Sequence, residues 1–184
     1  EADDTIGSLA GAAGSIVTLG GGAALAAGSN DDTTTMAGVI GGDGDFRKLG
    51  TGTLTLSGEN AYTGTTTIEA GTIQLGDNEA IPDGSFFTID AGAEFFLNGF
   101  TETVHRIDGE GAIQLASTLI IGGDDSSYTI NPTIYGTGDL VKEGTGTITV
   151  DQHVGLATPA TVKVQDGTLL VGAGGASGDL GTAA

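Results

Sequence analysis

Short apolar pairs, each split by a single residue, recur along this chain at a beat close to 20 residues. Leu54/Leu56, Ile73/Leu75, Phe95/Leu97, Ile113/Leu115, Ile148/Val150 and Leu169/Val171 all have this form. Alternation with a period of two puts one set of side chains on a buried face and the other in solvent. Glycines such as Gly52, Gly58, Gly64 and Gly71 break the runs at short, even steps. Strands this short that return with a coil-like beat are expected to stack as a parallel β-solenoid. About nine coils of roughly 20 residues, stacked at ~4.8 Å, would make a rod roughly 45 Å long. The rival is an antiparallel sandwich, which also uses short strands and frequent turns but has no need of a coil-like beat. No segment reads as a long helix.

The second constraint is a longer repeat. Ile40–Leu56 aligns without gaps to Ile134–Val150, an offset of 134 − 40 = 94 residues. Gly42, Gly44, Asp45, Lys48, Gly50, Thr51, Gly52, Thr53 and Thr55 are matched identically. Glu69–Gly76 aligns to Gln165–Gly172, which places two extra residues around Asp151–Ala160. Asp4–Gly11 follows the apolar register of Glu102–Gly109, and Asp77–Gly84 loosely matches the C-terminal AGGASGDLG. The expected organisation is one solenoid segment holding slightly under two copies of a ~95-residue unit. Residues 1–98 form the first copy and 99–184 a truncated second, as in a cut from a longer array.

Composition agrees and excludes several functions. Gly is 35 of 184 residues, without a three-residue period, so collagen is ruled out. Hydrophobic residues are 38%, with abundant β-branched Thr, Ile and Val, which favours an ordered all-β chain. Five basic residues face 24 acidic ones, a net charge of −19. Such a surface repels phosphate backbones and anionic lipid, so neither nucleic acid nor direct membrane docking is expected. Without Cys there are no disulfides or thiolate metal sites. No apolar run approaches the ~20 residues that span a bilayer. The start, EADDTIGSL, lacks an initiator Met and an export signal, so any such signal is expected outside this chain.

Candidate chemistry is sparse. Acidic turns around Asp43, Asp45, Asp124 and Asp125 offer hard oxygens of the kind that hold Ca²⁺, but Asp and Gly are also what tight turns prefer. Asp43 and Asp45, with Arg47 and Lys48 close by, form the best carboxylate cluster for polysaccharide cleavage. Asp45 and Lys48 recur as Asp139 and Lys142, however, which marks them as features of the repeat. His105 and His153 have no evident partners. No Gly-x-Ser-x-Gly elbow is present, and no catalytic residue is expected. Phe96 lies out of phase with Phe95 and Leu97, so it is expected to point outward, where either a partner contact or cover by a loop or a second buried layer would account for it. Tyr62 is expected to cap a coil turn. Thr51, Thr53, Thr55, Thr65 and Thr67 should line the solvent side.

The block GTGTLTLSGENAYTGTTTIEAGTIQLG is similar to the autotransporter-associated β-strand repeat, found in passenger regions of large surface or secreted proteins of Gram-negative bacteria. The flanks AGVIGGDGDFRKLGTG, DGSFFTIDAGAEFFLNG and GTGDLVKEGTGTITV resemble neighbouring parts of such passengers. The resemblance implies a right-handed parallel β-helix, an extracellular or cell-surface location, and a structural or adhesive role with no reaction and no cofactor. It also implies self-association or a host ligand as the partner. A calcium-stabilised module or head-to-tail filament subunit is the alternative, and a polysaccharide-active β-helix enzyme stands behind both.

Overall fold

The computed structural model describes residues 3–152 and 154–172. Every described strand pairing is parallel, and the strands form three faces visited in rotation, with a second-face strand missing before Ile16–Leu19 and a third-face strand missing before Phe86–Ile89. The chain is an all-β parallel solenoid, consistent with a right-handed β-helix. The first face carries Asp4–Ile6, Ala24–Ala27, Asp45–Lys48, Thr66–Ile68, Phe86–Ile89 and Arg106–Gly109, followed by Tyr128–Ile130, Thr147–Val150 and Thr168–Val171. The second carries Thr34–Met36, Thr53–Leu56, Thr72–Leu75, Glu94–Phe96, Ala112–Leu115, Thr133–Gly136 and Val154–Leu156. The third carries Ile16–Leu19, Val39–Gly42 and Ala61–Tyr62, then Glu102–Val104, Leu119–Ile121, Leu140–Lys142 and Val162–Val164. Among the described residues nine strands on the first face enclose eight turns, against the roughly nine the beat suggested, because the ninth strand only opens the next coil.

Register explains both the regularity and the scatter of the beat. On the first face Leu25, Phe46, Thr66, Phe87 and Ile107 stack in one column, at steps of 21, 20, 21 and 20 residues. On the second, Leu54, Ile73, Phe95 and Ile113 stack at steps of 19, 22 and 18. The turns absorb the difference, so the inward columns stay aligned. These columns make one continuous interior in which Leu56, Ile68, Ile73, Leu75, Phe95 and Leu97 are fully buried. Each such side chain contributes about 1.5–3 kcal/mol on leaving water. Phe87 and Phe95 meet edge to face across the interior at 4.8 Å between ring centroids. Leu56→Asp would put an unpaired carboxylate at the centre of this stack. The expected result is loss of cooperative melting and of amide protection in the adjoining coils; an unchanged melting curve would contradict the fold.

Tyr62 departs from the expectation of a turn cap. It is buried inside the rod, where its hydroxyl and that of Thr66 lie 2.6 Å apart. Thr66 in turn lies 2.8 Å from the Ser85 hydroxyl, which donates to the Gly64 carbonyl. The small Thr66 side chain leaves room in its column for the Tyr62 ring.

Candidate functional site

Two polar arrangements stand out from the apolar interior. The first is a corner that occurs twice. Lys48 points inward, is 1% exposed, and donates to the carbonyls of Leu49 at 2.6 Å, Gly50 at 2.8 Å and Ala70 at 3.2 Å. Lys142 is likewise buried and donates to Glu143, to Gly144 at 2.6 Å and to Asp166 at 3.4 Å. Beneath each lysine lies a carboxylate from the turn below. Asp31 Oδ1 accepts from the Thr51 N–H at 2.7 Å, and Asp125 Oδ1 accepts from the Thr145 N–H at 2.7 Å. Thr33 and Ser127 hydroxyls accept from the N–H groups of Thr53 and Thr147. Gly50 and Gly144 have positive φ, and a Cβ on either would collide with the carbonyl of Gly28 or Gly122 one turn below. Burial lowers the Lys48 ammonium from its usual range, and Asp31 partly offsets this.

This corner is the structural content of the 94-residue repeat, but the two copies occupy different edges of the rod. From Val39–Gly42 on the third face to Thr133–Gly136 on the second, the chain makes four whole turns and two further faces. Lys48 therefore belongs to the first face and Lys142 to the third. The repeat carries its own corner with it, because every hydrogen bond in the device runs within one turn or between adjacent turns at a single edge.

The acids singled out from the sequence are largely engaged by the backbone. Asp45 Oδ1 accepts from the Thr65 N–H at 2.6 Å, and its repeat counterpart Asp139 accepts from the Thr161 N–H at 2.8 Å. Asp124 accepts from the Ser126 N–H and hydroxyl. Asp43 sits at an exposed turn within 3.5 Å of the Thr63 hydroxyl. Arg47 points outward to Glu69 and Asp3, whereas Lys48 points inward, so the Asp43–Lys48 cluster does not converge on one groove. Hydrogen bonds from Thr145 hold the Asp125 carboxyl below its usual range, and those from Thr161 and Lys163 do the same for Asp139. His105 is half-buried at the bend between Glu102–Val104 and Arg106–Gly109; His153 lies outside the described residues. So does the C-terminal AGGASGDLG.

The second arrangement was not anticipated. Where the third face would need a strand at residues 79–83, there is none, and side chains from the turns on either side close the ladder instead. Asn60 Oδ1 accepts from the Ile40 N–H, and its Nδ2 donates to the Ala80 carbonyl, both at 2.7 Å. From the other side, the fully buried Glu102 accepts from the N–H groups of Ala80 at 3.0 Å and Ile81 at 3.3 Å. Glu79 accepts from the Thr103 N–H and hydroxyl. Glu79, Asp83 and Glu102 thus bring carboxylate oxygens within 4.8 Å of one another, the one such group of potential metal-ligating residues among the described residues. Desolvation, followed by repulsion from Glu79, pushes the Glu102 carboxyl up to about 9, although Ala80 and Ile81 pull it back. The signal that could have revealed Glu102 was its period-two relation to Val104, which places it on the inward side of its strand.

Phe96 does point outward. It is half-buried on the second face, in register with Gln74 below and Gln114 above, and Tyr135 continues the column.

Residues 46–75, which start with the strand of Lys48 and run to the end of Thr72–Leu75, match the family model of the passenger-associated-transport-repeat. Adhesin BmaC autotransporter from Brucella suis biovar 1 (strain 1330) is 36% identical over 120 residues. This is an autotransporter-passenger-like β-solenoid repeat region. The match covers 61% of the passenger-like chain and 4% of that adhesin, so the chain corresponds to a small part of the relative's length. No solved structure matches the chain. The matched repeat contains the upper two levels of the first corner, so the family pattern and the buried Lys48 device describe the same residues.

Proposed function

We propose that this passenger-like region works as a rigid, acidic, non-enzymatic rod at the surface of a Gram-negative cell, where it presents or mediates adhesion. The observation that carries this reading is the all-parallel stacking of eight turns among the described residues, unbroken along the second face, with most candidate acids engaged in holding one turn to the next. A carboxylate fixed on the backbone amide of the adjacent turn is a structural member. Chemistry on a substrate would need two acids free and facing one groove. The name of the relative, an adhesin autotransporter, points the same way. Self-association, including head-to-tail stacking, and a host or surface ligand are the two forms of adhesion to separate.

The test is display of the chain between an export signal and an outer-membrane anchor on a non-adherent cell. Attachment or autoaggregation above that of an equally long unrelated spacer is expected. No gain would remove the adhesive role and leave only the spacer. A calcium-stabilised module is the second reading, favoured by the Glu79–Asp83–Glu102 group. A rise in melting temperature with Ca²⁺ that EDTA reverses would support it.

A further inference from the structure

The second face differs from the rest of this acidic rod. The first face shows Asp45, Arg47, Arg106 and Asp108 to solvent. Along the outward side of the second face, from Thr53–Leu56 to Thr133–Gly136, Glu94 is the single Asp, Glu, Lys, Arg or His. The Tyr135 hydroxyl donates to that carboxylate. In-register pairing sets Thr55, Gln74, Phe96, Gln114 and Tyr135 in one column that runs along the rod. Amide-bearing and ring-bearing residues therefore alternate at the spacing of the coils; the backbone positions of Phe96 and Tyr135, two rungs apart, lie roughly 10 Å from one another, and the bond to Glu94 draws the Tyr135 ring back along the strip toward Phe96's strand. Neither Gln74 nor Gln114 engages its amide in a side-chain hydrogen bond among the described residues.

We infer that this column binds an uncharged, extended polysaccharide strand lying along the rod axis. The C–H face of a sugar ring stacks on an aromatic ring, and its hydroxyls pair with amides that both donate and accept. A second copy of the chain is the poorer occupant. Each copy brings a charge of −19, and the strip is dominated by Thr and Gln, without the apolar centre of a stable protein interface. An anionic glycan meets the same repulsion. Exposed Phe86 on the first face makes a poorer platform, since the Arg106 guanidinium covers its ring at 4.8 Å. The inference deepens the adhesive reading above and rests on it.

The test titrates the 184-residue chain with soluble hexamers of β-1,4-linked glucose and of N-acetylglucosamine, by calorimetry and by amide chemical shifts, at low and high salt. Binding to at least one hexamer is expected, insensitive to salt, with shifts confined to the second face. Phe96→Ala and Tyr135→Ala should each weaken it about tenfold. Phe86→Ala should leave it unchanged. Phe96→Leu, which keeps most of the packed volume, should weaken binding at an unchanged melting temperature, so that loss of fold cannot imitate loss of ligand. Absence of binding, preference for a polyanionic glycan, or equal loss in Phe86→Ala would overturn the inference. So would a dimer, seen by sedimentation, that Phe96→Leu dissociates while sugars have no effect. Surface attachment that persists without any sugar binding would leave the adhesive reading standing and remove this one.

Discussion

The melting temperature of this rod should be highest in mildly acidic solution and fall steadily as pH rises toward 9, and Glu102→Gln should abolish that fall. In the folded chain the Glu102 carboxyl sits at about 9 because it is desolvated beside Glu79. In the unfolded chain it returns to about 4.3. A raised folded value means that the native state holds the proton more tightly. The contribution is therefore complete below about pH 4 and is lost as pH climbs through that interval toward the folded value, at ~1.4 kcal/mol per unit. The whole span amounts to something on the order of 6 kcal/mol. Asp125 and Asp139 act in the opposite sense. Their folded values are depressed, so what they add is present above the normal carboxylate range and is lost as pH drops below it. Together these slopes place the optimum on the acid side of neutrality. Glu102→Gln keeps an oxygen for the Ala80 and Ile81 N–H groups and has no proton to lose, so its melting should be nearly flat from pH 5 to 9. It should exceed the parent chain at the alkaline end. Glu102→Leu orphans both donors, at about 1–3 kcal/mol each, and should be destabilised at every pH. A parent curve that is flat between pH 5 and 9 would show that Glu102 ionises normally and that the reading of this gap is wrong.

That gap also marks where sequence reasoning stops. The inward columns were legible because Leu54, Leu56, Ile73 and Leu75 alternate strictly with polar residues, and a period of two has one structural meaning when it recurs every turn. The outward placement of Phe96 followed from the same parity. The closure at residues 79–83 was hidden for the opposite reason. There the ladder is completed by side chains of Asn60 and Glu102, drawn from turns about 20 residues away on either side, and no local pattern encodes a partner at that distance. The phase of the long repeat was hidden as well. Identity at an offset of 94 shows that the corner recurs. It does not show that four and two-thirds turns separate the copies, because the strandless stretch on the third face still counts as a face. Sequence phase across the repeat is therefore a poor guide to which face a residue occupies.

Lys48→Met and Lys142→Met should destabilise the rod by similar amounts although the two residues lie on different faces. Each ammonium draws together carbonyls from its own turn and from the turn above, and it has no direct carboxylate partner among its hydrogen bonds. Methionine preserves the length of the side chain and much of its packing. The loss is therefore confined to charge-assisted hydrogen bonds and to the carbonyls left short of a donor, about 3 kcal/mol per site. Arg47→Met is the matched control one residue away. Its outward guanidinium pairs with Glu69 and Asp3 near solvent, where removal should cost less than ~1 kcal/mol. Because a solenoid can open coil by coil, hydrogen exchange is a sharper readout than a single melting midpoint. Faster exchange is expected at Thr51 and Thr72 for the Lys48 variant, and at Thr145 and Thr168 for the Lys142 variant, with the other corner unaffected. Equal behaviour of Lys48→Met and Arg47→Met would show that the ammonium contributes only bulk. A change at one corner but not the other would show that the device depends on the face it occupies. Two independent and equal losses would establish that the repeat transmits a self-contained corner, free to be placed on any edge of the rod.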